Sequence, residues 1–203
     1  MLNLEKNFFK KRILIYGLGK SGLSTYSFLK KNNVISLFDD QIITKKIIKN
    51  THTTYKEITK KKFDCIIISP GIDINKCKLS KFLKKNHKKI YTDLDIFYSR
   101  YTDNQKITIT GTNGKSTTAK LLCDILKDQK KDVRLVGNIG NPILLEKKIK
   151  KDTLFVIEAS SYQLEYSRLF KTNISIILNI TPDHLERHKT INLSLIHISE
   201  PTR

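Results

Sequence analysis

Along the chain, short runs of apolar and β-branched residues alternate with longer stretches in which apolar positions recur at helical spacing. This alternation predicts βαβ units around a mainly parallel sheet, an α/β fold. The predicted strands are Arg12 to Tyr16, Val34 to Phe38, Asp64 to Ser69, Ile107 to Thr110, Val133 to Val136, Leu154 to Ile157 and Ile174 to Leu178. Predicted helices run from Gly22 to Lys31, Ser80 to Asn86, Asp93 to Tyr101 and Lys115 to Gln129. Between Tyr101 and Gln105 the chain is polar and turn-prone, and the α/β stretch on each side opens with a glycine-rich strand-to-helix turn. A domain boundary is expected there. No internal repeat or extended low-complexity segment interrupts this organisation.

The 203 residues suffice for one large domain or two modest ones. A formal net charge of +19 raises nucleic acid or a membrane surface as partners. The distribution of that charge points elsewhere. Lysines fall in short runs between apolar segments, such as Lys60 to Lys62, Lys84-Lys85 and Lys147-Lys148. Such runs read as solvated faces, so neither nucleic acid nor membrane is expected to bind. Cys65, Cys77 and Cys123 show no paired spacing and no accompanying histidine pattern, which indicates thiols in a reducing compartment. Residues Met1 to Arg12 lack the apolar core of a signal peptide, and no apolar run approaches the roughly 20 residues that span a bilayer. A soluble, cytoplasmic, monomeric protein is expected.

Two turns carry candidate chemistry. Gly17-Leu18-Gly19-Lys20-Ser21-Gly22 follows a predicted strand and opens a helix. Glycines at this spacing let the backbone approach a diphosphate at the positive end of a helix. Asp39-Asp40 lie about 20 residues further on, where a ribose or base contact falls in such folds. Nicotinamide, flavin and nucleotide-sugar ligands all satisfy the pattern, and tight packing alone is its non-functional explanation.

The second turn is Gly111-Thr112-Asn113-Gly114-Lys115-Ser116-Thr117, after the apolar strand Ile107 to Thr110. Its backbone N–H groups suit phosphate oxygens, Lys115 suits the β and γ phosphates of ATP, and the Ser116 hydroxyl can reach Mg²⁺. The usual phosphate loop has a longer insert, whereas only Thr112 and Asn113 separate Gly111 from Gly114.

This shortened loop resembles that of the Mur ligases and their folylpolyglutamate synthetase relatives. Three further segments extend the resemblance to the Mur ligases over roughly Lys10 to Asn192: Gly137 to Gly140, Ile157 to Glu165, and Asn179 to His188. The resemblance implies a Rossmann-like UDP-sugar-binding domain over residues 1–101, followed over residues 102–192 by the first part of a P-loop-type central ATPase domain. The loop Gly111 to Thr117, Ser69-Pro70-Gly71-Ile72 and Ser160 to Leu164 are most similar to the members that add D-glutamate. The members that add L-alanine, a folylpolyglutamate synthetase, a non-catalytic nucleotide-sugar module and a Rossmann dehydrogenase remain as alternatives.

By resemblance, the activity is ATP-dependent ligation of D-glutamate to UDP-N-acetylmuramoyl-L-alanine through an acyl phosphate, a step of peptidoglycan precursor synthesis. Gly111 to Thr117 would bind ATP, and Lys115, Glu158 and His184 would be catalytic. Ser116, Glu158 and His184 would hold Mg²⁺. Gly19, Lys20, Ser21, Asp39, Asp40, Asn138 and Gln163 would meet the UDP-sugar.

The family also places a lysine shortly beyond the metal-binding histidine, carbamylated to act as a carboxylate. This chain has Ser199 in that region and no lysine after Lys189. Residues Leu193 to Arg203 depart from the family and read as sequence foreign to it, which leads to the expectation of an inactive fragment whose native frame is interrupted near Asn192.

Overall fold

The computed structural model describes residues 7–41 and 53–180, and the chain divides into two compact units, 1–100 and 101–203. The predicted metal ligand His184 and the tail from Leu193 onward lie outside the described residues.

In the first unit, β1 (Arg12–Tyr16), β2 (Val34–Phe38), β3 (Cys65–Ile68) and β4 (Ile90–Tyr91) form a four-stranded parallel sheet in the order β2-β1-β3-β4. Ile13 to Tyr16 are all buried. A parallel strand covered on both faces has no polar side to show, hence the unbroken apolar run. Around the sheet lie α1 (Lys20–Leu29), α2 (Tyr55–Lys60), α3 (Ser80–Lys85) and α4 (Asp93–Arg100). Helix α1 packs on β1 and on α4.

Three local differences from the predicted elements have physical causes. Strand β3 is one residue shorter at each end. Asp64 turns its carboxylate to the Arg12 backbone N–H at 2.8 Å, and Ser69 donates its hydroxyl to the Gly17 carbonyl at 2.7 Å. Helix α1 starts at Lys20 because Gly19 is extended at the N-cap and its carbonyl accepts the first helical bond, from Leu23 N at 3.0 Å. Helix α2, not predicted, rests on a capping box: the Thr54 hydroxyl accepts from Glu57 N, and the Glu57 carboxylate accepts from Thr54 N at 2.7 Å.

The second unit has its own parallel sheet, ordered β6-β7-β5-β8, from β5 (Lys106–Thr110), β6 (Val133–Gly137), β7 (Leu154–Glu158) and β8 (Ile174–Ile177). Helix α5 (Lys115–Asp128) follows β5 directly, and Ala119 and Cys123 on it form a core with Ile109, Val133 and Val156. A short helix, α6 (Ser161–Glu165), follows β7. It too was missed by periodicity, and it too begins with a capping box, between Ser160 and Gln163.

Candidate functional site

In the first unit, β1 delivers the chain into the glycine turn at the C-terminal edge of the sheet, where ligands of open α/β folds sit. The glycines differ in what requires them. Gly17 has φ +89°, and a Cβ there would come within 2.8 Å of Ser69; at Gly22 a Cβ would lie 1.8 Å from the Gly17 carbonyl oxygen. Packing accounts for both. At Gly19 a Cβ would meet nothing within 4 Å, so no neighbouring atom demands glycine there.

The turn is held by acidic side chains. Asp39 accepts from Leu18 N at 2.6 Å and from Gln41 N at 2.9 Å. Asp40 accepts from the Tyr16 phenol at 2.6 Å, and its carbonyl accepts from Lys78 Nζ at 2.6 Å. Burial first, then the Asp40 hydrogen bond, holds the Tyr16 phenol well above its ordinary range. Burial also raises the neighbouring Cys77 thiol. Gly19, Lys20, Ser21, Asp39 and Asp40 are therefore gathered at one edge of one sheet.

Ser21 brings in Asp93, a residue that no motif in the sequence marks. The Ser21 hydroxyl donates to Asp93 Oδ2 at 2.6 Å. Asp93 is the first residue of α4 and only 4% exposed. Burial raises its carboxyl above the usual carboxylate range, against the opposing hydrogen bond from Ser21. Its other oxygen, Oδ1, is buried without a hydrogen-bond partner among the described residues.

In the second unit, β5 runs into the loop Gly111 to Gly114. Gly111 (φ +140°) and Gly114 (φ +81°) adopt conformations that side chains rarely tolerate, and a Cβ at Gly111 would lie 3.0 Å from the Asn179 carbonyl oxygen. Asn179 fixes the loop from β8's end: its Oδ1 accepts from Asn113 N at 2.9 Å and its Nδ2 donates to Asn113 O at 3.0 Å. Gly114 caps α5 without a side chain, so the first N–H groups of a 14-residue helix face the loop. Lys115 Nζ spans the loop, donating to Gly111 O at 2.7 Å and Thr112 O at 2.6 Å.

Glu158, at the end of β7 and 1% exposed, meets this loop. Oε2 accepts from the Ser116 hydroxyl at 2.8 Å and Oε1 accepts from Asn138 Nδ2 at 3.1 Å. Gly137 permits the approach, since a Cβ there would sit 2.2 Å from the Glu158 carbonyl oxygen. The structure thus brings together Lys115, Ser116, Asn138 and Glu158. Gln163 is placed differently: its Oε1 accepts from Ser160 N at 3.1 Å, in the cap of α6. Among the described residues no group of three or more His, Cys, Asp or Glu side chains clusters as a metal site.

Two parallel sheets, the second with a central strand that enters a glycine loop, lysine and serine starting the next helix and a buried acid facing that serine, define a two-domain parallel α/β protein. Comparison with known proteins is more specific. Residues 11–90 match the model of the Mur ligase MurD-like N-terminal domain, and residues 109–193 match that of the Mur ligase middle domain. The UDP-N-acetylmuramoylalanine-D-glutamate ligase of Buchnera aphidicola subsp. Schizaphis graminum is 42% identical over 192 residues, covering 91% of this chain and 43% of that protein. The enzyme of the same name from Rickettsia bellii is 36% identical, covering 90% of this chain and 41% of that protein. Among solved structures, the UDP-N-acetylmuramate-alanine ligase of Thermotoga maritima shares the fold at a TM-score of 0.54 and 18% identity, covering 95% of this chain and 47% of that one. The UDP-N-acetylmuramate:L-alanyl-gamma-D-glutamyl-meso-diaminopimelate ligase from Neisseria shares it at 0.57 and 15%, covering 96% and 69%. The chain belongs to the Mur ligase family. It spans about two fifths of the length of the curated relatives it matches.

Proposed function

We propose that this chain carries the UDP-sugar-binding and ATP-phosphate-binding parts of a cytoplasmic ligase that joins D-glutamate to UDP-N-acetylmuramoyl-L-alanine. The observation that carries the ATP half is the convergence of Lys115, Ser116 and Glu158 on one loop; identities of 36% and 42% to D-glutamate ligases support the choice of substrate. Among the described residues no helix is long and apolar enough to cross a membrane.

A carboxylate is a poor electrophile, because amide formation would expel oxide. Transfer of the γ-phosphoryl group of ATP to the alanyl carboxylate gives an acyl phosphate. The D-glutamate amine then attacks the acyl carbon, and inorganic phosphate leaves. Bringing two anions together requires fixed positive charge. The N–H groups at the start of α5 supply part of it. An ammonium has three donors, so Lys115, with two on loop carbonyls, retains one for a phosphate oxygen.

The donor set also fits Mg²⁺, a hard cation bound through a carboxylate or two together with substrate phosphates. Ser116 Oγ and Glu158 Oε2 are oxygen donors 2.8 Å apart beside the phosphate loop, and they would hold one ion, while the resemblance implies His184 as a ligand of a second. When bound, Mg²⁺ would neutralise charge between the β and γ phosphates. Asn138 steadies Glu158 from the other oxygen. Gly19, where the chain leaves space, would let the diphosphate of the UDP-sugar approach the start of α1.

Calorimetric titration of UDP-N-acetylmuramoyl-L-alanine, then of Mg-ATP, into the purified chain tests both halves. Both ligands should bind the parent, and Lys115→Ala should weaken ATP alone. Failure of a folded chain to bind the UDP-sugar, or tight binding of NAD in its place, would overturn the reading.

A further inference from the structure

The Ser21–Asp93 pair stands under the turn assigned to the diphosphate, and the direction of its hydrogen bond is wrong for that ligand. A serine hydroxyl has one proton to donate. Here that proton is directed to Asp93 Oδ2 at 2.6 Å, the short distance of a charge-assisted bond. The Ser21 hydroxyl therefore presents only lone pairs to whatever rests on the turn. A diphosphate is itself an acceptor and repels them.

Asp93 is also poorly provided for as an ion. A carboxylate has about four acceptor sites over two oxygens, yet Oδ1 is buried with no partner among the described residues. The neutral acid makes fewer demands of its surroundings. The charged or titratable groups on the elements around it are Lys20 and Tyr26 on α1, Tyr91 on β4, and Asp95, Tyr98 and Arg100 on α4. Asp95 is bonded to Thr92 N at 2.8 Å and to the Thr92 hydroxyl. Burial, opposed by hydrogen bonds from Ser21 and from the backbone at the start of α4, sets the ionisation of Asp93.

We propose that Asp93 is a positioning residue that takes up a proton from solvent when a diphosphate docks on the glycine turn, reversing its bond to Ser21 so that Ser21 donates to the ligand. The protonated Oδ2 donates to Ser21 Oγ, and the Ser21 proton turns to a phosphate oxygen. One proton enters from the buffer, and no bond between heavier atoms changes. The added negative charge of the ligand favours the same protonation. The inference rests on the UDP-sugar assignment of this turn.

The test is isothermal titration calorimetry of the whole chain with UDP-N-acetylmuramoyl-L-alanine, in pairs of buffers differing in ionisation enthalpy, from about pH 5 to about pH 8. The diphosphate diester of this ligand carries no titrating proton in that range. The expected result is uptake of up to about one proton per ligand, with affinity falling as pH rises by as much as about tenfold per unit. Asp93→Asn, whose amide donates permanently to Ser21, should abolish both the uptake and the slope. Ser21→Ala should abolish the uptake and weaken binding, which provides a second reading if Asp93→Asn does not fold. Binding with no proton uptake overturns this inference and leaves the UDP-sugar assignment intact, as does uptake that persists in Asp93→Asn. No binding by a folded parent chain overturns both.

Discussion

Gly-Lys-Ser occurs in both glycine turns, as Gly19-Lys20-Ser21 and as Gly114-Lys115-Ser116, each time as the N-cap and first two residues of a helix that follows a central strand. In both, a buried acid accepts the serine hydroxyl: Asp93 at 2.6 Å and Glu158 at 2.8 Å. The surroundings differ. Glu158 has a donor on each oxygen, Ser116 and Asn138, whereas Asp93 has one oxygen buried and unpartnered among the described residues. The lysines differ too, for Lys115 folds across its loop while Lys20 is exposed. The same tripeptide is thus given two different surroundings by its neighbours. On the function proposed above, the fully partnered carboxylate would serve a cation beside triphosphate and the half-partnered one a proton beside diphosphate.

The largest expected effect separates two glycines of the first turn. Gly22→Ala would place a Cβ 1.8 Å from a backbone oxygen that cannot yield without unseating β1. A cost above about 4 kcal/mol is expected, read as loss of the cooperative unfolding transition of the chain. Gly19→Ala, with φ −70° and open space around it, should unfold at the parent's midpoint yet bind UDP-N-acetylmuramoyl-L-alanine less well. Equal destabilisation by the two would mean that the turn is a packing device only.

Next comes the second loop. Hydrogen bonds to charged groups contribute about 1.5 to 3 kcal/mol, so Lys115→Ala should weaken Mg-ATP by roughly tenfold to hundredfold in a binding titration. Glu158→Gln should fall in the same range when Mg²⁺ is present and have a smaller effect when ATP is titrated with chelator. If the glutamine variant behaves alike in both conditions, Glu158 serves Ser116 and Asn138 and no cation, and the parallel with Asp93 becomes closer than the cation reading allows.

What the sequence disclosed follows the length scale of each signal. The strands β1, β2 and β5 to β8 are apolar, β-branched runs and were legible to within about two residues, as element ends usually are. Strand β4 is two residues, Ile90–Tyr91, too short to show a period. Helices α2 and α6, at six and five residues, show no helical period in the sequence, but Thr54-x-x-Glu57 and Ser160-x-x-Gln163 announce them, and capping boxes read first find both. Glycine loops are local motifs and stood out. Asp93 did not, because it looks like an ordinary acid in a helix's first turn, and its partner Ser21 is 72 residues away. Gln163 was read as facing substrate, while its carbonyl in the structure serves the cap of α6.

Lys106 yields a smaller, pH-dependent prediction. It is 1% exposed at the start of β5, and its ammonium donates to the carbonyls of Asn104 at 2.5 Å and Thr102 at 3.3 Å. Burial lowers it from 10.5 to about 8. A lysine lowered in the fold binds fewer protons there than in the unfolded chain between those values, so stability should rise as pH climbs through that window. The gain is on the order of 2 kcal/mol, and it should be missing from Lys106→Met when denaturant midpoints are compared at both ends of the window. A slope unchanged in that variant would assign it to other groups.

The two capping boxes offer the finest comparison between the units. Replacing an N-cap hydroxyl by alanine costs about 1 kcal/mol, and Thr54→Ala and Ser160→Ala each remove one acceptor from the helix N-terminus they cap. Their surroundings are unequal. The Thr54 to Glu57 bonds are exposed to solvent, where water replaces a lost partner, whereas Gln163 is 4% exposed and its bonds to Ser160 are half-buried. Ser160→Ala should therefore destabilise more than Thr54→Ala in urea unfolding. It should also loosen Gln163, whose Oε1 would keep only the Ser160 N–H. If Gln163 contacts the UDP-sugar as well, that variant should bind the ligand differently from its parent while Thr54→Ala does not. Equal binding by the two variants would confine Gln163 to its cap.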